Sequence, residues 1–220
     1  MSQLCPATSS GPGRDSRLTG TGHNGGMATH VALLRGINVG GRNKVPMADL
    51  RELVSSLGHT GVTTYIQSGN VLFTAAGTGT AKMAGVLETA ITDRFGIWAS
   101  VVVLSRDELA GVLDDNPYPD EVNPKLVHVV FLGTEPPAHL LDRINAAQAA
   151  GAARGSRDTV TAIGTALFLH TPDGFGHSDL AQKLFRIIGT PSERKKPAVA
   201  ATARNWASAT KLLALCDEKE

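Results

Sequence analysis

Apolar residues recur along this chain at two alternating spacings. "HVALLRGI" (30–37) is a nearly continuous apolar run, the pattern of a strand buried on both faces. Beyond it Leu50, Leu53, Val54 and Leu57 fall at helical spacing, with Pro46 where a first turn would begin and Gly58 as a stop. "TTYIQS" and "VLFTA" read as two short strands, and the Gly69-Asn70 pair joining them suits a type II′ hairpin turn. Met83, Leu87, Ile91 and Phe95 recur every four residues and predict a helix with Thr80 as its cap. "SVVVL" (100–104) is a further strand and "RDELAGVL" (106–113) a short helix. The order is β-α-β-β-α-β, the split pattern of ferredoxin-like folds.

The pattern then repeats. "NPYPDEVNP" (116–124) holds three prolines and few apolar residues, so it reads as a linker. A strand over 126–132 follows, then a helix over 139–150 through Leu140, Leu141, Ile144 and Ala147. "TVTAI" and "ALFLH" make a hairpin around Gly164, and Leu180, Leu184, Ile187 and Ile188 mark another helix. "AVAAT" (198–202) is a short last strand and 205–216 a closing helix. The expected fold is α+β: a tandem duplication of ferredoxin-like (β-α-β-β-α-β) subdomains with antiparallel sheets. Its divisions are a disordered tail 1–28, a first subdomain 29–115, a Pro-rich linker 116–125 and a second subdomain 126–220.

The tail assignment rests on a Gly/Ser/Thr bias without apolar periodicity, which cannot offset the entropy of ordering the chain. No apolar core of a secretory signal is present in it. "GTGHNG" (20–25) matches G-x-G-x-x-G, but no strand precedes it and no helix follows, so it is a decoy. Met27 stands just before the first strand as a true or alternative start.

One stretch resists the simple pattern. Gln67, Ser68, Gly69 and Asn70 interrupt two β-prone runs with four polar or small residues. In the expected topology strands 1 and 2 run the same way, with strand 3 antiparallel between them. The loop "RGINVGGRNK" (35–44) and the turn "QSGN" (67–70) therefore leave the same sheet edge, together with "FGIW" (95–98). That edge gathers Arg35, Asn38, Arg42, Lys44, Gln67, Ser68 and Asn70 as candidate ligand-binding residues, among glycines that let a ligand approach the backbone. Context argues against a nucleotide P-loop: Gly36 and Gly41 have the spacing, but Arg42-Asn43 replace Lys-[Ser/Thr] and Pro46 delays the helix. A looser anion site built from cations and backbone N–H groups stays open. So does a structural reading, in which Arg35 pairs with a carboxylate and the polar side chains satisfy turn backbone.

Strands 7 and 8 run parallel by the same logic, which groups "PDGFGHS" (172–178) with "TARNW" (202–206) and adds Arg204 and Asn205 to the candidates. If the two edges face each other, Arg35 and Arg204 approach a shared anionic ligand from opposite sides.

Composition narrows the classes. With 220 residues and 42% hydrophobic content the chain can bury a core, and a net charge of +1 argues against a dedicated nucleic-acid partner. No apolar run reaches the roughly 20 residues that span a bilayer, so no membrane partner is expected. Cys5 and Cys216 form no C-x-x-C, which suggests neither a disulfide framework nor zinc and points to a reducing cytoplasm. His128 and His170 sit inside apolar strands without metal-ligand spacing, so no metal is expected. No G-x-S-x-G or H-E-x-x-H motif occurs, leaving catalytic residues and cofactors unassigned and an enzymatic role undecided. The preferred reading is a protein binding a small anionic or nucleotide-like ligand. The alternative is an RNA- or protein-binding module without catalysis, but 5% aromatic content gives no stacking platform for bases.

"VALLRGINVGGRNKVPMADLREL" (31–53), "YIQSGNVLF" (65–73) and "TARNWASATKL" (202–212) closely resemble the bacterial family catalogued as domain of unknown function 1697. The resemblance spans about residues 30–215. It implies a duplication of ferredoxin-like subdomains and supplies no reaction. One departure stands out: "GFGHSDL" (174–180) has His177 and Asp179 where relatives carry a basic residue and a Lys, which weakens an anion role for that loop. "SERKKPAVAA" (192–201) resembles an insertion and reads as a solvated loop.

Overall fold

The computed structural model describes residues 28–77, 79–189 and 199–218; the expectations for the tail before residue 28 and for most of the 192–201 insertion fall outside them. The first half runs β1 (His30–Arg35), α1 (Met47–Ser56), β2 (Thr60–Tyr65), β3 (Asn70–Thr74), α2 (Thr80–Phe95), β4 (Ser100–Ser105) and α3 (Arg106–Asp114). The second runs β5 (Val127–Leu132), α4 (Ala138–Ala152), β6 (Thr159–Ile163), β7 (Ala166–His170), α5 (Asp179–Ile188), β8 (Ala201–Asn205) and α6 (Trp206–Asp217). Two four-stranded antiparallel sheets result, ordered β2-β3-β1-β4 and β6-β7-β5-β8. Each half is a ferredoxin-like unit followed by one more helix. No helix among the described residues is long and apolar enough to cross a membrane.

The central strands are apolar on both faces because both faces are covered. Ala32 and Leu34 of β1 pack with Leu50 and Val54 of α1 and Leu87 and Ile91 of α2. In the second half Val130 and Leu132 of β5 do the same with Leu140, Ile144, Leu180 and Leu184. The other faces meet: Val31 and Leu33 share one core with Val129, Phe131 and Phe168, joined by Leu109 and Leu113 of α3 and Ala209, Leu212 and Cys216 of α6. Burial of each large side chain there stabilises by about 1.5–3 kcal/mol. The two halves are therefore bonded through a common interior.

Four boundaries differ from the sequence expectation. Thr80 is the first residue of α2 rather than its cap; Gly79 occupies the N-cap without a side-chain bond. Strand β2 starts at Thr60 and stops at Tyr65, short of Gln67 and Ser68. The β2–β3 connection is Ile66–Gly69 and not a two-residue type II′ turn, because Asn70 enters the ladder opposite Leu33 and Tyr65. The last strand lies at 201–205 rather than 198–202, and Asn205 ends it by capping α6, its side chain accepting from Ser208 N–H.

Candidate functional site

The loop after β1 is held by asparagines in the left-handed region, which this residue tolerates better than most. Asn38 (φ 54°) and Asn43 (φ 50°) adopt it, and Gly36 has φ 88°. The Asn38 side chain acts as a detached peptide group. Its oxygen accepts from Val45 N–H at 2.9 Å, and its nitrogen donates to Val45 O at 3.0 Å and Gln67 O at 3.1 Å. Asn43 Nδ2 donates to Gly36 O at 2.7 Å. Loop and turn thus meet at one sheet edge, as the topology requires. Gly69 makes the closest approach. With φ 74°, a Cβ there would lie 2.8 Å from both Leu34 Cβ and Ile37 Cδ1.

From the second half, β8 alternates so that Ala201 and Ala203 pack on its own core while Thr202 and Arg204 turn toward the first half. Arg204 Nε donates to Asn70 Oδ1. Its Nη1 donates to Thr202 Oγ1 and Ala203 O, both at 2.7 Å, and its Nη2 to Leu34 O at 2.9 Å and Ser68 O at 3.1 Å. A guanidinium has five N–H donors, so every one is taken by the protein. Arg204 is 9% exposed, with no carboxylate among these partners. Burial pushes its pKa down to about 10, which leaves it cationic at neutral pH. Asn70, wholly buried, spends its amide hydrogens on Tyr65 O and Ser68 Oγ, each at 3.0 Å.

Arg35 differs from Arg204. Its Nη1 donates to Gly189 O at 2.9 Å, and its Cζ lies 5.3 Å from the centre of the Phe185 ring, a cation–π arrangement. The carboxylate partner allowed for in the sequence is replaced by this carbonyl and ring. Burial lowers the Arg35 pKa from its ordinary value. Its other N–H groups meet no partner among the described residues. Ser100, directly opposite on β4, has a buried Oγ that also lacks one.

These groups border an open cleft of about 660 Å³ between the halves. The first half contributes Arg35, Asn38, Gln67 and Ser68 with Val39 and Ile66; the second contributes Phe175, Phe185, Thr202 and Arg204. Among the described residues no Asp or Glu lines it. The exposed candidates Arg42 and Lys44 stay outside its lining, and Asn205 is the helix cap described above.

The remaining residues singled out by sequence have local partners. His128 stacks on Phe175 at 4.0 Å, its Nδ1 is buried without a partner, and burial pushes its pKa down to about 4. His170 Nε2 lies 2.9 Å from Glu121 Oε2. Ser178 caps α5 and donates to Asp158, while Asp173 pairs with Arg157, so acids stand among the cations around the 172–178 loop. Among the described residues no three His, Cys, Asp or Glu side chains cluster to hold a metal.

The sequence reading missed the apolar walls. Phe175, Phe185, Val39 and Ile66 gave no motif. Only Ile66, a β-branched residue leading into a polar turn, was locally out of place.

A solved structure of a conserved bacterial protein from Streptococcus pneumoniae matches with a TM-score of 0.61 at 24% identity, over 86% of this chain and 99% of that one. At that identity the likeness shows the fold alone. No curated protein matches the sequence significantly. A family model matches residues 27–168, and the chain belongs to that family, described as "Protein of unknown function (DUF1697)".

Proposed function

We propose that this protein binds a small anionic ligand in the cleft between its halves. One observation carries the reading: two guanidinium groups, Arg35 and Arg204, line one cleft whose lining has no carboxylate among the described residues. Their contributions differ. Arg204 has no N–H to spare and offers fixed charge, felt strongly because its surroundings are poorly screened. Arg35 has donors that meet no partner among the described residues and can grip a carboxylate or phosphate directly. Gln67, exposed beside it, supplies a neutral donor. The interface between two units is a favoured place for such sites. Binding is proposed without a reaction, since neither a nucleophile nor a base is assigned. The free buried thiol of Cys216 suits the reducing cytoplasm as the protein's location. The exposed lip residues Val39 and Ile66 are aliphatic, which supports a small ligand over stacked RNA bases.

The test is a thermal-shift screen of the full chain against inorganic phosphate, carboxylates, nucleotides and sugar phosphates, with calorimetry on the hits. A hit should raise the melting temperature by several degrees in the parent protein and not in Arg35→Gln, each shift being taken against that protein's own ligand-free value. The same response in both proteins would refute the reading.

A further inference from the structure

We propose that the ligand of this cleft is an amphiphilic acid, with an anionic head at Arg35 joined to a compact apolar body held by Val39, Ile66, Phe175 and Phe185. This names the ligand class for the anion site above and rests on that reading.

Ile66 has φ 50°, a left-handed conformation that a β-branched side chain adopts only under strain. Asn or Gly would take that conformation readily. The strained residue also leaves its side chain 51% exposed at the cleft, and Val39, on the neighbouring loop, is 67% exposed. Two wet aliphatic groups, one of them strained, therefore flank a cationic cleft. Neither is explained by the core, since both lie outside it.

The second half supplies the matching surface. Phe175 is backed by the His128 ring at 4.0 Å and meets Phe185 edge-on at 6.3 Å. The far neighbour of Phe185 is the Arg35 guanidinium. Apolar wall and cation are thus adjacent and mutually fixed. A bare inorganic anion would use only Arg35 and leave Val39 and Ile66 in water beside two half-buried rings. A sugar phosphate would set hydroxyls against them. An acid with an apolar body satisfies both parts of the lining, and its charge is matched by Arg35 and Arg204 with no carboxylate among the described lining residues.

Calorimetry on the full chain with inorganic phosphate, phenyl phosphate, acetate, benzoate and benzyl alcohol decides this, and the two acid pairs separate phosphate from carboxylate heads. Within at least one pair the aryl acid should bind about tenfold or more tighter than its small counterpart, the scale expected for burying a ring. Benzyl alcohol should bind worse than that aryl acid. Ile66→Asn should keep or raise the melting temperature, because Asn accommodates the positive φ, yet reduce aryl-acid affinity toward that of the small anion. Val39→Thr repeats the measurement without touching the strained position. Equal affinities within both pairs, or both variants binding aryl acids like the parent, would overturn the amphiphile inference and leave the anion site standing. Silence toward all four acids would overturn both.

Discussion

Arg204, near the end of β8, donates its Nε–H to the side-chain oxygen of Asn70, the first residue of β3, across the boundary between the two halves. Both side chains are buried, and each makes every remaining hydrogen bond to protein oxygen. The pair acts as a rivet whose cationic head also borders the cleft. Replacing Asn70 by Ala strands the Nε–H and Tyr65 O, an expected loss of about 2–3 kcal/mol. Arg204→Met leaves Leu34 O and Ser68 O without this donor, an expected loss of about 3–5 kcal/mol. In urea denaturation the double variant should cost less than the sum by about 1–3 kcal/mol. Strict additivity would show that the two are not coupled.

Gly69 is fixed by space as well as by backbone angle. Gly69→Ala places a methyl 2.8 Å from Leu34 Cβ and Ile37 Cδ1, whereas a Cβ at Gly40 (φ 58°) meets nothing within 4 Å. Both substitutions carry the left-handed penalty of about 1 kcal/mol. Gly69→Ala should therefore be the more destabilising by at least about 1–2 kcal/mol, the cost of overpacking. Equal melting temperatures for the two variants would contradict the packing described for the turn.

Asn205 was a ligand candidate by sequence and caps α6 in the structure. Loss of such a cap costs about 1 kcal/mol. Asn205→Ala should lower stability by that amount and leave anion affinity within twofold of the parent. A tenfold loss of binding at unchanged stability would return Asn205 to the site.

His128 should make the protein sensitive to acid. Its pKa sits near 4 in the folded chain, against an ordinary value near 6.5 once unfolded. Below pH 6.5 the unfolded state gains a proton that the folded state refuses, so stability is complete above that pH and falls toward pH 4. The slope from this one group is at most about 1.4 kcal/mol per pH unit. His30 and His59 are shifted in the same direction by burial, so the informative quantity is a difference between variants. His128→Phe keeps a ring against Phe175 and removes the proton; its stability should decline less steeply over this interval. Parallel pH curves for the two proteins would exclude a role for His128.

The duplicated fold was legible because it is written in periodicity. Apolar runs and helical spacings marked the eight strands and six α-helices of the described residues, the last strand three residues early, and direction alone brought residues 35–44 beside 67–70. The cleft was legible only in its charges. Arg35 and Arg204 stand out in apolar strands, but Arg204 and Asn70 lie 134 residues apart, and nothing local announces that one is buried against the other. Phe175 and Phe185 carried no signal: one lies in a loop and the other on a helix whose apolar face was marked by Leu180, Leu184, Ile187 and Ile188. The common interior between the sheets was equally silent. A strand apolar on both faces says that its second face is covered without saying by what.

Because Val31 and Leu33 of one sheet and Val129 and Phe131 of the other share an interior with α3 and α6, neither half has a finished exterior of its own. Severed within 116–125, each fragment would show water a sheet face of bare aliphatic groups, with its complement on the other fragment. Nor are the repeats interchangeable. The first offers four oxygen acceptors, from Leu34, Ser68, Gly69 and Asn70, and the second holds the one guanidinium that fills them. Two copies of the first repeat would confront each other with acceptors and no donor, so the molecule is a key and lock cut from one blank, and only the mixed pair closes.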